Sequence, residues 1–231
     1  DLSERSVRFA PPRLIAQFEY RALEVFAGQH LTLAALIQED LRPTDELTPV
    51  GSEIEDPTAG GRVDTQYATL ALSGPLGPGI FHRLYYTLNS GRRLEYVESE
   101  KSGTGSWYQY EEILAHMAGA ELTWFLPQTL NSRARLFGLY STDAFVPLSP
   151  TSYSDVFTLQ PGNSAHIGVS YSLRPLAGLG SDVLQTELKS VSYFRSAGGG
   201  YVGTDFNVIV TAVPLSDVRL VLTGGAFVPE P

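Results

Sequence analysis

Apolar and polar side chains alternate along most of this chain with a period of two, the pattern of strands whose two faces meet different surroundings. In 164–173, Ala165, Ile167, Val169, Tyr171 and Leu173 share one face, while His166, Gly168, Ser170 and Ser172 take the other with Arg174 just beyond. Residues 80–89 set Ile80, Leu84, Tyr86 and Leu88 against Arg83, Tyr85, Thr87 and Asn89. Residues 114–124 set Leu114, Ala118, Ala120, Leu122 and Trp124 against Gly119, Glu121 and Thr123. Leu31, Leu33, Ala35 and Ile37 form one apolar row, and Val218, Leu220 and Leu222 another, opposed by Arg219, Val221 and Thr223. Residues 184–194 alternate less cleanly, with Gln185, Glu187 and Lys189 on the polar side. The spacing predicts about ten strands in one antiparallel meander.

The connections add a second pattern. "SGPLGPGIF", "FLPQTLNSRARL", "LRPLAGLGSDVL" and "AVPLSDVRL" each run strand, Pro, a short turn, then strand. Proline cannot donate to a ladder, and the small polar residues beside it accept turn dihedrals. Longer polar stretches (42–64, 98–108, 143–164, and the brief "SAGGG") fall between these turns. Short and long connections alternate, so the short ones belong at one end of the sheet and the long ones at the other.

Composition narrows the class. The net charge of −9, much of it in the acidic stretch 39–64, argues against a nucleic-acid footprint. Cysteine is absent, which removes disulfides, thiolate metal sites and a cysteine nucleophile. No apolar run approaches the ~18 residues of a spanning helix. His166 with Ser170 and Ser172 invites a hydrolase reading, but each two-residue step along a strand is ~6.5–7 Å, too far for a Ser–His hydrogen bond. His82 and His116 fall on apolar faces, and no spacing resembles a zinc site. "GTGSW" and "AGGGYVG" do not lead from a strand to a helix with a Walker-type lysine, and the acidic stretch lacks EF-hand spacing. No enzymatic chemistry and no cofactor are expected.

Strands of about ten residues with alternating faces, short turns at one end and long loops at the other, resemble bacterial outer-membrane β-barrels of the porin-like kind. Aromatics near strand ends add to the likeness: Tyr67, Phe81, Tyr108, Tyr110, Trp124, Phe125, Tyr140, Tyr193, Phe194, Tyr201 and Phe206. The resemblance covers nearly all of the chain from residue 14 and is one of pattern, not of a signature motif. It implies a single barrel domain over 1–231, an apolar belt against outer-membrane lipid, and long loops toward lipopolysaccharide. It also implies a polar lumen for small solutes. "RLVLTGGAFVPEP" at the end parallels "RLFGLYSTDAFVPLSP" at 135–150, so the chain reads as stopping on entry to a loop, cut short from a larger barrel with further strands or subunits. The alternative is that ten strands close by themselves.

In a soluble barrel or sandwich the apolar faces would point inward; in a membrane barrel they point out. The apolar rows here use Ala, Val, Leu and Gly, thin material for filling a large interior. The opposite rows carry Arg83, Glu121, Arg133, Arg135, Arg174, Glu187, Lys189 and Arg219, and these are the expected lumen residues. Arg at mid-bilayer costs ~2–4 kcal/mol, which keeps such residues off a lipid face. Basic rings favour anions, so passage of small polar or anionic solutes is the expectation. The competing expectations are a structural or adhesion barrel whose acidic loops bind partners, and a soluble all-β binding module.

Overall fold

The computed structural model describes residues 13–41, 63–97, 107–146, 162–179, 183–215 and 217–230. Residues 42–62 of the acidic stretch 39–64 and the "GTGS" of 103–106 lie outside them. The strands are β1 (Arg13–Ala22), β2 (His30–Asp40), β3 (Val63–Gly77), β4 (Ile80–Val97), β5 (Trp107–Leu126), β6 (Ser132–Ser141), β7 (Ser164–Leu173), β8 (Leu184–Phe194), β9 (Tyr201–Leu215) and β10 (Val218–Pro229). They form one sheet in chain order, every neighbouring pair antiparallel. The fold is all-β and up-and-down. Among the described residues the sheet is open: β1 pairs with β2 alone and β10 with β9 alone.

Directly opposed residues share a face, so the registers sort the described side chains into two faces. Leu33 of β2 opposes Leu70 of β3, which opposes Tyr86, then Ala118 and Tyr140, all on the apolar face. Ser170 opposes Lys189, which opposes Asn207, all on the polar face. Burial then separates the two faces. Ile167 and Val169 are 54% and 53% exposed, whereas Asn89 and Asp205 are fully buried and Thr65 is 1% exposed. Each aliphatic side chain left in water forfeits ~1.5–3 kcal/mol of burial energy, and here whole rows of them are left out. The polar residues occupy the inside of the curl.

Two small clusters hold the polar face. Tyr67, Ile113, Ala115 and Phe145 pack together toward the long-connection end. Phe145 belongs to the segment after β6, which folds back over β3–β5: the Tyr67 hydroxyl donates to the Val146 carbonyl at 2.8 Å, and the Val146 amide donates to Asn89 Oδ1 at 3.1 Å. Phe137, Val191 and Tyr193 make the second cluster, joined by Val202 and Phe227. Tyr67 and Tyr193 are therefore packing residues of the polar face, not members of an outer aromatic rim, and Phe81 and Phe125 share that face by register.

On the apolar face His116 lies between Tyr86 and Tyr140, ring centroids 6.0 and 6.2 Å away, while Trp124 marks the other end. Trp124 and His116 are roughly 27 Å apart along β5, at ~3.3 Å per residue. β4 and β5 run past this zone to 18 and 20 residues, longer than the pattern suggested. Their extension carries charge on both faces, with Arg93 on Glu111 at 2.6 Å and Arg92 both on Asp64 at 3.3 Å and over the Tyr110 ring. Between β5 and β10 the apolar face holds a trough of about 940 Å³ lined by Trp124, Leu136, Val169, Leu188, Phe206 and Val208.

Candidate functional site

The polar face of β1–β6 encloses a cavity of about 680 Å³ toward the short-connection end. Its wall is built by alternation alone: Glu19 and Arg21 from β1, His30 and Thr32 from β2, Thr69 and Ser73 from β3, Arg83 and Tyr85 from β4, Glu121 from β5 and Arg135 from β6. Arg83 stands opposite Ser73 on one side and Glu121 on the other. Arg135 sits one row along and donates from Nη2 to Glu121 Oε2 at 2.6 Å, with its guanidinium 4.9 Å from the centre of the Phe137 ring. Glu19 pairs with Arg21 on the same strand. Arg83 has its guanidinium 5.7 Å from the centre of the Tyr85 ring and makes no ion pair among the described residues. Among the described lining residues three arginines thus face two carboxylates, and Arg83 is the arginine outside an ion pair.

Of the eight residues expected to act together, Arg83, Glu121 and Arg135 line this cavity. Arg133 and Arg174 meet instead at the short-connection end, in a separate pocket of about 310 Å³. Glu187 and Lys189 lie on the polar face of β8, opposite Ser172 and Ser170. Arg219 is exposed at the start of β10, where the register shifts between Val218 and Leu220, and joins none of the others.

Glu19, Arg21 and His30 were outside the expected set, although β1 carries Arg13, Glu19 and Arg21 on one side and His30 opens β2. The signal was available: Leu14, Ala16, Phe18 and Tyr20 alternate with Gln17, Glu19 and Arg21. Asp205 and Asn207 were missed as well. They are 0% and 2% exposed, and Asn207 Nδ2 donates to Asp205 Oδ2 at 3.0 Å. His166 packs near the rings of Phe137 and Tyr193, at 6.3 and 6.0 Å. Among the described residues no group of three or more His, Cys, Asp or Glu is placed to hold a metal ion. Comparison with protein-family models and with curated protein sequences finds no match.

Proposed function

We propose that this chain is a bacterial outer-membrane β-barrel protein whose polar face, once the sheet closes, lines a passage for small polar or anionic solutes. The observation that carries the reading is the inversion of burial: polar rows inside, aliphatic rows outside. Isolated exposed aliphatics are ordinary on soluble proteins, but contiguous apolar faces beyond a few hundred Å² mark a partner or a lipid phase. The separation of roughly 27 Å between Trp124 and the Tyr86–His116–Tyr140 row is about 20 Å of height at a ~40° tilt, comparable with the ~25 Å apolar band of such barrels. The cavity supplies polar walls with a small cationic excess centred on Arg83.

The test begins with the chain refolded in detergent beside the same chain in plain buffer. A β-type dichroism spectrum and heat-modifiable gel mobility in detergent alone are expected, and a folded monomer in buffer would overturn the reading. The folded protein is then placed in a planar bilayer under a salt gradient. A modest anion preference is expected, and Arg83→Glu should move the reversal potential toward cations. A second reading rests on the Phe137–Val191–Tyr193 cluster, which fills the polar face of β6–β9. Small barrels are often filled by side chains. A folded protein with silent bilayers would make this a structural barrel whose loops bind partners.

A further inference from the structure

Tyr85 gives the large cavity a feature that charge alone does not describe. Its ring lies over Gly119, the residue directly opposite on β5, where an added Cβ would stand 2.2 Å from Cζ. Tyr85 is half-buried and lines the cavity, so one side of the ring rests on backbone while the remainder is presented to the polar interior. The rows on either side are hydrophilic. Toward the short-connection end stand Ser73, Arg83 and Glu121, directly opposed in one row. Toward the long-connection end stands Thr69, with its hydroxyl 2.9 Å from that of Thr87. Each row is one two-residue step from Tyr85, ~6.5–7 Å.

These rows both donate and accept. Arg83 brings a guanidinium with its N–H donors. Glu121 accepts from Arg135 at 2.6 Å through Oε2 and from Thr123 Oγ1 at 3.3 Å through Oε1, and each carboxylate oxygen has a further lone pair. A simple anion would use the donors but meet the Glu121 carboxylate. A planar apolar ring would use Tyr85 and strand the polar rows. A pyranose uses both. The C–H bonds of one sugar face settle against the electron-rich ring, and its hydroxyls, each donor and acceptor, radiate toward the two rows. A hydroxyl oxygen ~3 Å from the sugar's centre, plus a hydrogen bond of ~2.8 Å, spans about one row. The volume of about 680 Å³ falls within the ~300–1,000 Å³ of small-molecule sites. We propose that this cavity holds a sugar subsite, with a pyranose ring stacked on Tyr85 and its hydroxyls held by Arg83, Glu121 and Thr69. The subsite rests on the reading of this face as the lining of a passage, and it names the class of solute.

Saturation-transfer NMR tests it, on protein folded in a zwitterionic detergent that has no sugar headgroup. Methyl α-D-glucopyranoside is the probe, and sorbitol, an open-chain polyol of similar size, is the control. Saturable transfer to the ring C–H protons of the glucoside is expected, with little to sorbitol. Tyr85→Leu should weaken binding about fivefold, whereas Tyr85→Phe keeps the ring and should stay within about twofold of the parent. Glu121→Gln and Arg83→Gln should each weaken it about threefold, and they decide the matter if Tyr85→Leu fails to show heat-modifiable mobility. Tyr110→Leu, toward the long-connection end and outside the cavity, should leave binding unchanged. No saturable transfer to the folded wild type, equal transfer to sorbitol, or equal loss in Tyr110→Leu would overturn the proposal. Planar-bilayer conductance of the same preparation separates the two readings. Current without glucoside binding removes the sugar subsite and leaves the passage; binding with silent bilayers keeps the subsite and removes the passage.

Discussion

Three glycines of the polar face lie beneath aromatic rings. A Cβ at Gly119 would stand 2.2 Å from Tyr85, one at Gly168 would stand 2.5 Å from Phe137, and one at Gly203 would stand 2.4 Å from Phe227. Tyr85 and Phe137 directly oppose their glycines, so each ring lies flat over a bare backbone. This pairing lets a sheet curl tightly while keeping the inside filled. Gly91 serves a different purpose. Its φ is +149°, and an added Cβ would meet the Asp64 carbonyl oxygen at 2.1 Å, a backbone atom that cannot rotate away. Gly91→Ala is therefore expected to cost about 2 kcal/mol or more, through strain and overpacking together. Gly77→Ala meets nothing within 4 Å and should stay within ~0.5 kcal/mol of the parent. Urea midpoints of the detergent-folded proteins measure both, and equal midpoints would show that β3 and β4 are not in close contact at Gly91.

At the level of strands, alternation carries the information because a one-residue slip would send every side chain of a strand to the other face. Leu188 and Lys189 show it within one step: Leu188 is 51% exposed on the apolar face, and Lys189 is on the polar face between Ser170 and Asn207. Leu188→Arg separates lipid from water as the surroundings of that face. Against lipid it should lower folding stability in phospholipid vesicles by ~2–4 kcal/mol, the cost of Arg near mid-bilayer. Against water it would be neutral, since the side chain is already exposed, and a neutral result would turn the apolar rows into a protein interface. Lys189→Arg is the matched control. The same alternation made the strand count, the ends of β8 and the faces of Arg83, Glu121 and Lys189 legible from the chain alone. What was not legible depends on pairing across distance. The return of Phe145 onto Tyr67 and Ile113, and the meeting of Arg133 with Arg174, follow from how strands and turns are staggered, and no local period encodes that.

The stagger accumulates across the molecule. Starting from Arg21 near the short-connection end of β1, directly opposed residues run through Thr32, Ala71, Tyr85, Gly119, Leu139, His166, Tyr193 and Gly203 to Pro229, the last residue of β10. Pro229 lies at the long-connection end, where β1 begins at Arg13. With β10 closed onto β1 so that Pro229 met Arg13, one circuit of the sheet would climb eight residues, ~26 Å at ~3.3 Å each, across ten strand spacings of ~4.8 Å. That slope, roughly 30°, approaches the ~35–45° tilt a closed barrel requires. An even number of strands also leaves β1 and β10 antiparallel to each other, so their free edges can form an ordinary ladder. Closure of β10 onto β1 of the same chain is the expected form in a membrane. The chain contains no cysteine, so introduced thiols report without competition. Tyr20→Cys combined in turn with Val218→Cys, Leu220→Cys and Leu222→Cys scans the three seam registers that keep these side chains on one face. One pair should form a disulfide within a single chain in the detergent-folded protein, because bridged Cα atoms must come within about 4.4–6.8 Å. A cross-linked dimer would instead give the free edges to a second copy. A folded protein with no cross-link at any register would mean that something other than β10 covers β1, and the passage proposed above would have to be built from more strands than these ten.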